Sequence, residues 1–175
     1  MEWSARRVVL TIAAGFFFVA LPFIFTSSWC LDKIQNWATT NPTAKGAAAW
    51  QNRVGWIYLN TMRQDKGAAA YYQFLVKFTP GPPPENPTDE QRKLYQESVE
   101  LHAIAMYRYA LCYDEWSNSI VGAVGAGTDA DPKVTAVEIR TRAKAMYEAF
   151  LERYPEHPDA PTARRAAERL GVQIR

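Results

Sequence analysis

Apolar positions along the chain fall into one uninterrupted run followed by several helical periods. Residues 8–29 carry no charge, and 8–25 are dense in Val, Leu, Ile and Phe. At about 1.5 Å rise per residue such a run approaches the thickness of a bilayer core, so it predicts a transmembrane helix over 8–29. Arg6 and Arg7 precede it, whereas Asp32 and Lys33 after it cancel. This bias puts residues 1–7 in the cytoplasm and everything beyond the span outside it. A cleaved secretory signal fits less well, because its apolar core is shorter and bulky Trp29 stands where a small residue is wanted.

Beyond a short connector at 30–41 the pattern is helical throughout, with no alternation of the kind that marks hairpin strands. Asn41-Pro42 reads as a helix start, with Asn as N-cap and Pro at the first position, and the first helix runs to about residue 62. A second covers 67–78 and stops at the proline-rich stretch 79–84. Thr88 with Gln91 forms a capping box for a long helix ending near Trp116. Residues 117–131, rich in Gly, Ser and Asp, read as a loop; helices follow over 134–154 and from about 159 to Gly171. The fold class is therefore all-α: an N-terminal span and a helical domain over 42–175.

Two helical hairpins repeat each other. With Pro80 aligned on Pro155, Ala68, Tyr72 and Leu75 fall on Ala143, Tyr147 and Phe150. The preceding helices carry Val54-Gly55 followed by Tyr58, and Tyr109-Ala110 followed by Tyr113. A small residue lets two helices approach, an aromatic four residues on fills the groove beside it, and proline ends the hairpin. This spacing resembles the tetratricopeptide repeat, and the run from Ala145 to Pro161 looks like the repeats of bacterial envelope proteins, including cell-division coordinators and outer-membrane-assembly lipoproteins. The resemblance covers about 48–172. It implies two tetratricopeptide-like hairpins with a C-terminal capping helix, the second hairpin interrupted by 117–131. Stacks of this kind usually need roughly three repeats, which favours completion by a partner or by dimerisation.

The resemblance also implies where a partner would sit. The position after the repeat glycine, Trp56, and the position three before it, Asn52, would point into the concave groove; Leu111 and Tyr107 match them in the second copy. Aromatics supply contact area and an amide bonds backbone, so these four are the expected partner-binding residues. Tyr58 and Tyr72, at repeat-matching positions, are expected in the core.

Composition narrows the rest. With 175 residues, 48% hydrophobic and 22% charged, the chain holds one folded domain plus appendages. Net charge is +2 and the basic residues are interleaved with acids, which argues against nucleic acid as a partner. Cys30 and Cys112 have no metal spacing with His102 and His157, and their positions, one at the edge of the apolar run and one in a core helix, argue against a disulfide. No nucleophile is set beside a base. The glycine-rich stretch 122–127 follows a helix rather than a strand and lacks the lysine of a phosphate loop. Asp129 and Asp131 do not complete a calcium loop. No catalytic residue, cofactor or metal is expected. The sequence points to a membrane-anchored scaffold in the bacterial inner membrane, its domain periplasmic and binding an envelope protein, with homo-oligomerisation open. An accessory subunit of a large respiratory or photosynthetic membrane complex is the alternative.

Overall fold

The computed structural model describes residues 26–122 and 132–171. The expected span at 8–29 falls almost wholly outside the described residues, as does most of the glycine-rich stretch. No helix among the described residues is long and apolar enough to cross a membrane. The described residues are all-helical: α1 Ser28–Thr40, α2 Ala47–Asn60, α3 Gln64–Lys77, α4 Asp89–Gly122, α5 Pro132–Arg153 and α6 Ala160–Gly171. Each packs chiefly on its neighbours in sequence, and α2 also meets α4.

The start of the domain differs from the sequence reading. Residues 30–41 are no loose connector: 30–40 lie in α1 and Asn41 is its C-cap, while the N-cap is Ser27, its hydroxyl accepting from the Cys30 N–H at 3.3 Å. Leu31 and Ala38 are fully buried. Asn41 ends this helix rather than starting the next, since its backbone N–H and its Nδ2 both donate to the Trp37 carbonyl. Gly46, at φ +84°, turns the chain into α2. Arg63 then fastens α1 to the α2–α3 turn, donating to the Ser28 hydroxyl at 2.9 Å and the Thr26 carbonyl at 2.7 Å. The Tyr58 hydroxyl adds a bond to Asp32 at 2.7 Å.

Three small cores follow one another along the stack. Leu31, Val54, Tyr58 and Ala70 join α1 to α3; Ala68, Tyr71, Phe74, Ala105 and Cys112 join α3 to α4. Ala103, Ala110, Tyr147, Phe150, Ala160, Ala163 and Ala167 join α4 to α6. Large aromatics set against alanines are how an interior reaches close-packed density. The tightest approach is at Gly55, where any Cβ would stand 2.8 Å from the Tyr71 ring. At Gly67 a Cβ would lie 3.0 Å from Cys112 Sγ, so both hairpin glycines are placed by contact.

Tyr58 is buried as expected, but Tyr72 is not: it is 53% exposed, and Tyr71 takes the core position. The buried sets therefore align one residue away from the proline register. Gly67, Tyr71 and Phe74 correspond to Ala143, Tyr147 and Phe150, and Pro80 lags by one. The extra residue lies after Phe74, where the helix has ended at Phe78.

The capping box is formed: the Gln91 N–H donates to Thr88 Oγ1 at 3.2 Å, and the Thr88 N–H to Gln91 Oε1 at 3.0 Å. Beyond Trp116 the helix continues to Gly122, so the first part of the expected 117–131 loop, residues 117–122, is helical; the rest of it lies outside the described residues, and α5 begins at Pro132. Ser117 and Ser119 survive in the helix because each hydroxyl bonds a carbonyl of its own turn, at 2.7 Å in both cases. Both cysteines are free, and burial pushes the Cys112 thiol up to about 12, which leaves it a packing residue.

His102 sits between α4 and the end of α5, 3% exposed, with Nδ1 hydrogen-bonded to the Tyr154 hydroxyl at 2.9 Å. Burial, aided by the nearby Arg153 charge, lowers its pKa from 6.5 to about 4. The folded state thus holds fewer protons than the unfolded chain between these values. Stability contributed by neutral His102 is complete above pH 6.5 and is lost as pH falls towards 4. A loss on the order of 2 kcal/mol by pH 4 is expected from this group. His102→Gln should flatten the pH dependence of the urea midpoint in that window; an unchanged slope would remove His102 as its source.

Candidate functional site

The groove between α2 and α4 is the site that the fold offers. Its floor is set by α3, which packs behind both helices. Two adjoining hollows make it up. A smaller one of about 200 Å³ is lined by Ala49, Asn52, Arg53, Trp56, Leu101 and Arg108. A larger one of about 390 Å³ is lined by Trp56, Leu59, Asn60, Met62, Gln64, Tyr107, Arg108, Leu111 and Glu115. Trp56 and Arg108 belong to both and form the divide.

All four sequence-derived residues line this groove: Asn52 and Trp56 in the smaller part, Trp56, Tyr107 and Leu111 in the larger. They do not present equally. Trp56 is 38% exposed and carries the Arg53 guanidinium over its ring at 5.2 Å. Tyr107 leans inward, its ring 5.7 Å from Phe150 and 6.0 Å from Tyr147, so only part of it faces the groove. Asn52 is nearly buried, and both ends of its amide are engaged. Nδ2 donates to the Leu101 carbonyl at 3.3 Å, and Oδ1 accepts from Arg108 Nη1 at 3.2 Å. Its main work is to tie α2 to α4 and to aim the Arg108 guanidinium.

Arg108 and Arg53 were not singled out by sequence. Arg53 is the one charged residue of α2 and Arg108 is one of three cations on α4, and no spacing rule separates a groove arginine from a surface one. The structure separates them, because Asn52 fixes one and Trp56 carries the other. Together they make the rim basic, with Glu115 the acid at the far end. Met62, in the left-handed conformation at φ +57° and 85% exposed, stands at the edge of the larger hollow. A flexible thioether at that place gives the groove an adaptable apolar lip.

Among the described residues the groove holds one carboxylate, two cations, and aromatic and aliphatic surface, with no nucleophile paired to a base. Among the described residues no group of three or more His, Cys, Asp or Glu side chains is placed to hold a metal ion. No family model, curated protein or solved structure matches the chain.

Proposed function

We propose that the chain is a membrane-anchored extracytoplasmic scaffold of tetratricopeptide type, which holds a partner envelope protein in the α2–α4 groove. The observation that carries this reading is the convergence of Trp56, Tyr107 and Leu111, from two different helices, on one open groove. The family reading is supported by the buried register Gly55, Tyr58, Gly67, Tyr71 and Phe74, small residues and aromatics alternating across one helical pair. The anchor lies within the uncharged run over 8–29, whose last two residues already open α1, and it would place the domain in the periplasm. Confinement of both partners to one membrane then raises their effective concentration.

Partner binding would centre on Trp56, flanked by the Arg108 guanidinium and the Met62 lip, while Asn52 acts from behind by holding Arg108. Trp56→Ala should weaken binding by about 2 kcal/mol, roughly thirtyfold in Kd, as for a central aromatic anchor. A gentle-detergent pulldown of the full-length chain, with mass-spectrometric identification of bound proteins, supplies the partner and the measurement. Partners retained equally by the Trp56→Ala chain would remove the groove from the mechanism. Recovery of a partnerless, folded chain would remove the scaffold reading.

A further inference from the structure

Away from the groove, α1 and the start of α2 show a second apolar face. Trp29 is 70% exposed, Trp37 41% and Trp50 49%. Trp29, Lys33 and Trp37 follow one another at four-residue spacing, a single stripe along α1. Lys33, Ile34, Trp37 and Trp50 surround a shallow hollow of about 380 Å³, whose only charged group among the described residues is Lys33. Asp32, the nearby acid, is turned away and occupied by the Tyr58 hydroxyl. Three exposed indoles around one lysine are a costly surface to leave in water.

We propose that this face lies in the headgroup layer of the bilayer, so that the domain rests on the membrane in a fixed orientation instead of swinging on a tether. The inference rests on the reading of 8–29 as an anchor. Its independent support is the absence of slack between that run and the folded domain. Ser27 already caps α1, and the Thr26 carbonyl is held by Arg63, itself fixed to Ser28 and Thr61. The apolar stretch 8–25 ends at the residue before Thr26. Trp29, four residues on from Phe25, can stand no more than about 14 Å from it even in extended chain. The stripe therefore begins at the depth where the hydrocarbon gives way to headgroups. Indole rings favour that layer, their apolar body shielded and their N–H hydrated, and a lysine there meets lipid phosphates. α1 packs on α2 through Leu31 and Ala38 on its opposite side, so the exposed stripe is the side left for the lipid.

The test uses the full-length chain in phosphatidylcholine–phosphatidylglycerol vesicles. Trp3, Trp29, Trp56 and Trp116 are replaced by phenylalanine, leaving Trp37 and Trp50 as reporters. Their fluorescence should be lost to lipids brominated near the headgroup end of the chain and spared by aqueous acrylamide. A companion chain keeping only Trp56 and Trp116 should show the reverse. Vesicle-bound chains whose Trp37 and Trp50 are quenched by acrylamide and not by bromolipid would overturn the inference while leaving the anchor in place. Reporters shielded from both quenchers would overturn it too, by showing that another protein surface, such as a second copy, covers the face. Chains that fail to stay with the vesicles after alkaline carbonate would overturn the anchor, and the inference with it.

Discussion

Phe150→Ala is expected to destabilise the domain by about 3–5 kcal/mol, a large part of the 5–15 kcal/mol that domains of this size possess. Phe150 is fully buried where α4, α5 and α6 meet. Its ring centroid lies 5.7 Å from that of Tyr107, 6.0 Å from Tyr154 and 5.4 Å from the His157 ring, which it meets edge to face. The other fully buried side chains there are mostly alanines: Ala103, Ala110, Ala160 and Ala163. The alanines cannot lean into a void, whereas Met106 and Met146 at the margin of this core can, so the cost is expected within that range and not at its upper end. Urea unfolding of the detergent-solubilised chain, followed by circular dichroism, measures it. Tyr72→Ala on the exposed side of α3 serves as control and should stay within about 0.5 kcal/mol. A cost for Phe150→Ala below about 1 kcal/mol would mean that this core is not the cohesive unit described.

Signals that act over three or four residues were readable in the sequence, and those that depend on the neighbouring helix were not. Thr88 and Gln91 announce a helix start by their own side chains, and the bonds are made as the spacing requires. The all-helical class followed from periodicity in the same way. The register of the repeat did not, because two adjacent tyrosines satisfy the same local pattern. Only the close contact of Gly55 with the Tyr71 ring decides between Tyr71 and Tyr72, and that contact spans two helices. α1 was hidden by the opposite problem. Its buried positions, Leu31 and Ala38, are sparse, while Trp29 and Trp37 on the exposed side dilute the amphipathic signal. Ser27 as cap and Asn41 as terminator were present, but Asn41-Pro42 offered a competing helix start. At the groove, Trp56, Tyr107 and Leu111 followed from repeat position, whereas the engagement of Asn52 depends on Leu101 and Arg108 in a different helix.

The same limit applies to Asp114, which carries the second large effect. On sequence it is one more acid in a charged helix; in the structure it is 2% exposed, and Oδ2 receives both Arg169 from α6 and the Tyr147 hydroxyl from α5 at 3.3 Å. One buried carboxylate thus joins three helices. The pair is lopsided, since the Arg169 side chain is 61% exposed. Removing the cation strands a buried anion, whereas removing the anion lets the guanidinium return to water. Arg169→Ala should therefore cost about 3 kcal/mol, at the lower edge of the range for broken buried pairs because water can follow into the vacated path. Asp114→Asn, which keeps an acceptor for Tyr147, should cost about 1 kcal/mol. The double substitution should be more stable than Arg169→Ala alone, because no charge is then left without a counterion. Urea midpoints for the four chains form the cycle that measures this. Strict additivity would show that Asp114 and Arg169 do not act as a pair, and that α6 is held to the stack by its apolar side chains, Ala160, Ala163, Ala166, Ala167 and Leu170.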